Sequence, residues 1–418
     1  MNHSQLSARG SSNVASITPS MRRKIIDGSG PDTSDIDLST DENYLLREEL
    51  TTICKAAVHD GLHSQHFSRL QGFAGDPALL GSLALLLNNY FNPHEPVRPH
   101  HIVTAPGATS CLDALLYNIC DPEDGVLVPG PFWHGDEVKF RARSSVRPIL
   151  VNAGKFTNNF TMKLIPALED AMDKATCTIK ALIITNPHKF YGLCYPLEVL
   201  EACLIFCQQR GLHFISDEGY GMTSYSVADD IEPEPFISAL ALDTELLECD
   251  RSRIHVIWSI SKDFGASGFR VGCIVTQDNR DLTAGLAVAS NAQVSSLSAI
   301  FTAKLLSSPK LPFLVALNSA RLAESYILIT SFFIRHHIEY IPVNAGLNIL
   351  TRLAPRAKTW EDESEMITRL KNAGVLVRGG GGYHGTQMEK GWVRISFALE
   401  EERLQESLRR IKVALHIE

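Results

Sequence analysis

Short apolar runs alternate with segments of helical periodicity through the middle of the chain. The apolar runs predict strands at 101–105, 125–129, 147–152, 179–185, 213–218, 254–259 and 272–277. The segments between them, such as 109–120 and 197–211, space apolar residues three and four apart, as amphipathic helices do. Strand–helix alternation with fully apolar strands predicts an α/β fold, in which a mainly parallel seven-stranded sheet is flanked by helices on both faces.

The two ends of the chain follow other patterns. Residues 1–40 are rich in Ser, Gly, Asp and Pro, and a helical pattern at 41–58 follows, with Asp41 as its expected N-cap. Beyond 308 come a long helical stretch, a strand-like run, a helix, a Gly-rich loop, a strand and a closing helix. We therefore expect an N-terminal arm at 1–40, a large domain at 41–307, and a small α+β domain at 308–418 that part of the N-terminal segment completes.

Composition narrows the class of protein. The 418 residues carry a formal net charge of -8, which provides no basic surface for nucleic acid and no polybasic attraction to anionic membrane. No uninterrupted apolar run reaches the length of a membrane span, and the N-terminus lacks the apolar core of a secretory signal. We expect a cytoplasmic protein that binds neither nucleic acid nor membrane.

Nine cysteines are irregularly spaced, and most lie in apolar runs. Cys203 and Cys207 are four apart on a predicted helix, but neither has a second pair of Cys or His ligands nearby. Buried reduced thiols are the better interpretation, and we expect no metal site.

The most informative segment for chemistry is SISKDFGASGFRVG, which follows the strand at 254–259. Its Lys262 is flanked by Ser259 and Ser261, and Arg270 lies eight residues further on. An amine that acts as a nucleophile at neutral pH needs a lowered pKa, which cationic neighbours or desolvation supply. Hydroxyls and a guanidinium also bind a phosphate dianion. Taken alone, the segment fits a reactive lysine beside a phosphate and a solvated surface turn equally well.

Residues at other strand ends favour the first interpretation. Asp217 and Tyr220 follow one strand and Asn186 another, at the carboxyl edge where open α/β sheets bind ligands. A buried aspartate there pairs with a protonated pyridine nitrogen, while Tyr220 and Asn186 are placed to hold a ring oxygen. Ala108 and Thr109 open a helix whose amides suit an anion.

Trp133 adds an aromatic face for a planar ring. Each of these features is weak alone, because strand ends often carry Asp or Asn. Together, and in this order along the chain, they predict a site for pyridoxal phosphate.

On these motifs the chain resembles the fold-type I pyridoxal-phosphate (PLP) enzymes of aminotransferase class I/II. Within that family it is similar to the 1-aminocyclopropane-1-carboxylate (ACC) synthase-like branch, over roughly 36–400. SISKDFGASGFRVG matches the family's S-x-S-K-D-x-G-x-x-G-x-R-V-G, SDEGY its S-D-E-x-Y, and TNPHKFYG its T-N-P-x-x-x-x-G. PGATSCLDAL, LQGFAGDPALL and EKGWVRISFA resemble three further family motifs.

The resemblance implies a PLP cofactor, a role for each matching residue, and a homodimer whose protomers complete each other's sites. It implies that Lys262 carries the cofactor as a Schiff base and moves the Cα proton, and that Arg394 binds the substrate's α-carboxylate. The remaining implied contacts are Asp217 to the pyridine nitrogen, Asn186 and Tyr220 to the ring oxygen, Trp133 to the ring face, and Ala108, Thr109, Ser259, Ser261 and Arg270 to the phosphate.

Three departures from the family pattern bear on the substrate. Phe73 stands where the family has a tyrosine whose hydroxyl crosses the dimer interface. A bulkier loop contains His188, and a Gly-rich run leads to His384. Both histidines are candidate acid/base groups near a leaving group, because imidazole titrates in the useful range. The alternative for both is a loop histidine hydrogen-bonded to backbone or water.

The leading hypothesis for function is a lyase that cleaves the C–S bond of a cysteine-derived conjugate by β-elimination. The resembled branch includes such enzymes in fungal pathways to sulfur-bridged diketopiperazines, a specialised-metabolism setting. An aminotransferase of an aromatic or large apolar amino acid is the first alternative and ACC synthase the second. A PLP-fold protein that only binds its ligand is disfavoured, because Lys262, Asp217 and Arg270 are all present.

Overall fold

The computed structural model describes residues 6–16, 34–68, 72–133, 137–226, 234–290, 294–384 and 390–417. Its α-helices are α1 (Ala8–Ser16), α2 (Arg47–Gly61), α3 (Pro77–Tyr90), α4 (Ala108–Ile119), α5 (Glu137–Arg141), α6 (Leu164–Asp173), α7 (Leu197–Arg210), α8 (Ile260–Asp263), α9 (Arg280–Ser290), α10 (Ser296–Leu306), α11 (Leu311–Arg335), α12 (Trp360–Asn372) and α13 (Glu401–Leu415). Its strands are β1 (Ile36–Asp37), β2 (Ile102–Ala105), β3 (Gly125–Pro129), β4 (Phe132–Trp133), β5 (Arg147–Val151), β6 (Ile179–Thr185), β7 (His213–Asp217), β8 (Ile254–Ser259), β9 (Gly272–Thr276), β10 (Tyr340–Ile341), β11 (Asn348–Arg352), β12 (Val375–Leu376), β13 (Arg378–Gly379), β14 (Tyr383–His384) and β15 (Trp392–Ser396).

The predicted seven-stranded sheet is confirmed. Its order is β2-β9-β8-β7-β6-β3-β5, and β9 runs antiparallel to both of its neighbours while the other pairs are parallel. Leu127 packs into the core on one face of the sheet, and Val126 and Val128 pack into the core on the other. Because side chains alternate along a strand, burial on both faces explains why these strands are apolar throughout.

A second, antiparallel sheet with the order β10-β11-β15-β13 lies in the C-terminal part of the chain. The N-terminal segment adds β1, which pairs in parallel with β12. Helix α11 joins the two parts: Leu311 and Leu314 belong to the core of the large sheet, whereas Leu322 and Tyr326 belong to the core of the smaller one. The same helix therefore packs against both cores.

The expected N-cap at Asp41 is wrong. Helix α2 begins at Arg47, with Leu46 in the cap position and no side-chain cap hydrogen bond. Asp41 is instead drawn into an ion pair with Arg394, and a buried carboxylate gains more from a guanidinium than from a helix terminus.

Within the described ranges, no single helix has the length and apolar content needed to cross a membrane. Helices α10 and α11 meet those criteria only when taken together as a pair bent by 88°.

Candidate active site

The corner between β2, β9 and α4 forms a cradle with little room for side chains. Gly107 has φ of 84° at the start of α4, and a Cβ there would lie 2.7 Å from Nη2 of Arg270. A Cβ on Gly272 would lie 2.7 Å from the carbonyl carbon of Gly107. Glycine at both positions lets the backbone and the guanidinium approach closely. The backbone amides at the N-terminus of the 12-residue helix α4 are therefore directed toward the same space as the Arg270 guanidinium.

The predicted phosphate ligands gather at this corner. Arg270 donates hydrogen bonds to the carbonyl oxygens of Pro106 and Ser267, at 2.8 and 2.9 Å, which fix its guanidinium. Ser259 ends β8 directly opposite Gly272 in the sheet ladder, and Ser261 follows it. Ala108 and Thr109 occupy the first turn of α4. A positive guanidinium, hydroxyls and a helix N-terminus form a donor set that fits a phosphate dianion.

The predicted ring contacts lie at the neighbouring strand ends. Asp217 ends β7 and pairs in register with Thr185 at the end of β6. Asn186 follows immediately. Its amide side chain donates to the Ile237 carbonyl oxygen at 2.8 Å and accepts from the Tyr195 amide at 3.1 Å. A carboxylate and an oriented carboxamide at the carboxyl edge of the sheet fit the pyridine ring predicted between them.

Lys262 lies in α8, immediately after β8, and its side chain is 22% exposed. Its Nζ donates to the carbonyl oxygen of Asp41 and lies 3.6 Å from Oε1 of Glu42. Burial lowers the pKa of Lys262, the carboxylates of Asp41 and Glu42 oppose that change, and the charges of Lys189 and Arg394 add to it. A lowered pKa is what an amine nucleophile requires.

The opposite end of the site is closed by residues 39–43, called the strap below. Arg394, in the middle of β15 and 2% exposed, places Nη2 at 2.7 Å from Oδ1 of Asp41 and donates to the Ser39 carbonyl oxygen at 3.0 Å. Tyr220 lies close enough to Asp41 that, after burial, the Asp41 charge is the largest cause of the raised pKa of its phenol. Asp41 therefore lies beside three predicted site residues: Lys262, Tyr220 and Arg394.

Electrostatics hold the Asp41 carboxylate in its ionised form. Burial by itself would raise the pKa of Asp41, but four positive charges hold that pKa well below its usual range. In order of effect these are Arg394, Lys189, Lys262 and Arg378.

The strap is anchored beside Lys262. The amide of Asn43 donates to the Lys262 carbonyl oxygen at 3.1 Å and to Oδ1 of Asn318 at 2.9 Å. Ser267 donates to Glu42 at 2.6 Å. These bonds fix the strap next to the reactive lysine.

Aromatic residues from three segments meet beside Arg394, whose guanidinium lies 5.8 Å from the centre of the Tyr383 ring. Trp133 in β4 pairs with Tyr383 in β14, and the ring of Tyr383 lies 4.3 Å from that of Phe190. The guanidinium of Arg378 lies 4.4 Å from the centre of the Trp133 ring. Trp133, Phe190 and Tyr383 are named the aromatic wall.

The two candidate histidines have different outcomes. Nδ1 of His188 accepts from the backbone amides of Phe190 and Tyr191, at 3.2 and 3.3 Å, and burial lowers the pKa of His188 to about 3. This geometry favours the loop-stabilising alternative for His188. The backbone of His384 pairs with Phe132, but its side chain lies outside the part of the chain that the structure describes.

The other sequence predictions are placed as follows. Phe73 is 70% exposed. Cys203 and Cys207 are buried free thiols in α7, and among the described residues no group of three or more His, Cys, Asp or Glu side chains could hold a metal.

Sequence reasoning did not find Asp41, Lys189 or Arg378 as site residues. Arg378 had one available signal, since a charged residue in a short apolar run near a glycine-rich loop is unusual. Glu218 was also not singled out. It is fully buried and bonded to Ser216, Ser238 and the Ala239 amide, and burial raises its pKa to about 7.

A phosphate cradle, a desolvated lysine and a strand-end carboxylate on a mainly parallel sheet define a fold-type I PLP enzyme, and pyridoxal phosphate is its cofactor. The family model "Aminotransferase class I and II" matches residues 33–411. The chain belongs to that family.

Comparison with individual proteins shows which members of this family the chain resembles. The chain is 48% identical to the probable aminotransferase aclI of Aspergillus oryzae, over 98% of each chain. It is 40% identical to part of the trimodular acetylaranotin synthesis protein ataIMG of Aspergillus terreus, over 58% of this chain and 28% of that one. It is 28% identical to 1-aminocyclopropane-1-carboxylate synthase 6 of Arabidopsis thaliana, over 88% and 74% of the two chains.

Among solved structures, an aspartate aminotransferase of Thermus thermophilus superposes with a TM-score of 0.75. It is 21% identical and covers 98% of this chain and 99% of its own. The similarity confirms the fold.

Proposed function

We propose that the protein is a carbon–sulfur lyase that cleaves a cysteine-derived conjugate by β-elimination. The observation that carries the proposal is the aromatic wall beside Arg394, which suits an amino acid with a bulky substituent on its β-carbon. The relative named for acetylaranotin synthesis supports a role in specialised metabolism. The resemblance to a branch that includes carbon–sulfur lyases supports a sulfur-linked substituent.

The chain's own residues divide the chemical work. When bound, pyridoxal phosphate supplies the electron sink for the pair left at the substrate's Cα. Asp217 pairs with the pyridine nitrogen, Arg394 holds the α-carboxylate once Asp41 withdraws, and the amine of Lys262 accepts the Cα proton.

The reaction balances without an added acceptor. The Cβ–S bond breaks, its electron pair leaves with sulfur as a thiolate, and the thiolate takes up a proton. Water hydrolyses the remaining three-carbon fragment, so that a simple S-conjugate gives one thiol, one pyruvate and one ammonia. An amino transfer, in contrast, needs a 2-oxo acid to complete each cycle.

The test is to incubate the holoenzyme with S-benzyl-L-cysteine and no 2-oxo acid. Thiol, pyruvate and ammonia are expected in equal amounts over many turnovers, and the Lys262→Ala variant is the control. Turnover of L-phenylalanine that depends strictly on added 2-oxoglutarate, with no thiol from the conjugate, would instead establish an aminotransferase.

The aminotransferase stays the second candidate because the same aromatic wall suits an aromatic side chain. ACC synthase is the third. Phe73 weakens both alternatives, since the tyrosine hydroxyl of the family is missing there. Release of ACC from S-adenosylmethionine by the purified enzyme would favour ACC synthase over both other candidates.

We infer that the protein acts as a homodimer. Phe67 and Phe73 are 83% and 70% exposed, and Leu297, 50% exposed, follows Ser296, which donates to the His66 carbonyl oxygen. Phe67 and Leu297 therefore lie exposed on neighbouring segments, and a group of exposed large apolar side chains is typical of a protein–protein interface. Light scattering should give a dimer mass for the wild type, and Phe67→Asp should shift it toward the monomer. A monomeric wild type would contradict the inference.

A further inference from the structure

Two arginines face each other on the small sheet. Arg378 in β13 and Arg394 in β15 are direct register partners in an antiparallel pair, so their side chains emerge on the same face of the sheet. Like charges opposite each other destabilise a sheet, unless an anion lies between or beside them. Asp41 neutralises Arg394 at 2.7 Å, whereas the guanidinium of Arg378 packs over the Trp133 ring at 4.4 Å.

A third cation comes from another part of the chain. Lys189, in the loop after β6, lines the same cavity as Trp133 and Tyr383. The charges of Lys189 and Arg378 both act on the strap, because each contributes, after Arg394, to the lowered pKa of Asp41. Two positive charges from separate segments, Lys189 and Arg378, therefore lie close to the aromatic wall.

The proposed reaction gives roles to only some of these positively charged side chains. Lys262 handles the proton, and Arg394 binds one α-carboxylate in the place now taken by Asp41. Arg378 has no part in either task, and Lys189 affects the first through its charge on Lys262, yet both lie beside the wall that a substituent on sulfur would contact. A partly buried guanidinium on an aromatic face, with an ammonium nearby, is a good setting for a carboxylate.

We propose that the substrate carries a second carboxylate on the sulfur-bound substituent, and that Arg378 and Lys189 bind it beside Trp133. This inference rests on the proposed function, because it specifies which cysteine conjugates the site accepts. It assigns Arg378 and Lys189 to substrate specificity rather than to the elimination step.

The kinetic test compares two substrates that differ in one group: S-(2-carboxyethyl)-L-cysteine and S-propyl-L-cysteine. The wild type should prefer the carboxylated conjugate by about tenfold or more in kcat/KM, the size expected for a charge-assisted contact. Arg378→Gln and Lys189→Gln should each reduce the ratio of kcat/KM between the two conjugates. Arg280→Gln, on exposed α9, is the matched control and should change nothing.

A binding measurement separates this inference from the lyase proposal. Calorimetry on the holo form of Lys262→Ala compares 2-aminopimelate with 2-aminoheptanoate, which have no sulfur and differ only in the second carboxylate. Tighter binding of 2-aminopimelate that is lost in Lys262→Ala/Arg378→Gln supports the subsite even if no thiol is ever released. Equal binding of the two ligands, or thiol release at equal rates from both conjugates, overturns the subsite and leaves the lyase standing.

Discussion

The phosphate end of the site lies on one continuous sheet, whereas its substrate end is assembled from segments that are far apart in the chain. Ser259 and Gly272 face each other in the same ladder, and Gly107 begins the helix that follows the next strand. At the other end Arg394 binds the Ser39 carbonyl oxygen, 355 residues away. The cofactor end is therefore fixed by the scaffold, while the substrate end depends on where the strap lies.

The position of the strap bears on how a substrate reaches Arg394. One residue of the strap, Asp41, lies against Lys262, Tyr220 and Arg394. Under the proposed function, a substrate carboxylate would compete with that residue, whereas a phosphate at Arg270 would not. Substitutions at the phosphate end should therefore affect cofactor binding, and substitutions at the substrate end should affect substrate binding.

The largest effect is expected from Lys262→Ala at the cofactor end. Turnover should be lost, because no amine remains at the end of β8 to take the Cα proton, while the phosphate cradle still holds PLP. Borohydride reduction followed by peptide mapping should label Lys262 in the wild type and no lysine in the variant. A label on another lysine would contradict the site.

Asp217→Ala should lower kcat by about a hundredfold or more, since it removes a preorganised charge that keeps the pyridine nitrogen protonated. Steady-state kinetics with saturating PLP measures the loss, and Asp217→Glu should recover part of it. A variant with wild-type turnover would show that the ring nitrogen pairs elsewhere.

Arg394→Lys tests whether the substrate end can be changed without affecting the cofactor end. A lysine keeps the charge beside Asp41 but cannot form a bidentate pair with a carboxylate, so KM should rise by about tenfold. PLP affinity, followed by the absorbance of the bound cofactor, should stay within about twofold. A parallel loss of PLP binding would mean that the two ends are not separate.

Asp41→Asn should have the smallest effect on catalysis. Removing the internal carboxylate takes away the competitor of the substrate, so KM should fall by a few-fold with kcat unchanged. The surface variant Asp281→Asn is the control. An unchanged or higher KM would show that Asp41 helps to bind substrate rather than excluding it.

Asp41→Asn should also change the stability of the folded protein. The pKa of Asp41 is lower in the folded protein than in an unfolded chain, so its ionised form stabilises the fold above the unfolded pKa near ~4. That contribution is lost as pH falls toward the folded pKa. The free energy of unfolding should therefore be higher in the wild type than in Asp41→Asn at pH 7, by about 1–3 kcal/mol, and the difference should shrink in acid. Urea titrations at several pH values measure both.

Much of the cofactor end could be predicted from the sequence. The seven strands of the large sheet show themselves as apolar runs, and strand ends place Asp217, Asn186 and Ser259 at one edge. These inferences depend on local periodicity and on a general property of parallel sheets, namely that their carboxyl ends meet. The prediction of Lys262 as the reactive lysine depends on the same kind of pattern, since its neighbours in sequence are also its neighbours in space.

The substrate end was not predictable in the same way. Asp41 had the local pattern of a helix cap, and only the path of the chain brought it to Arg394. His188 was a candidate acid/base group until its contacts with two backbone amides were known. Sequence by itself determined the fold and the cofactor, because these follow from short-range patterns. The tertiary structure alone decided which charges face one another across the substrate space, because ion pairs between distant segments depend on how the chain returns and not on its local pattern.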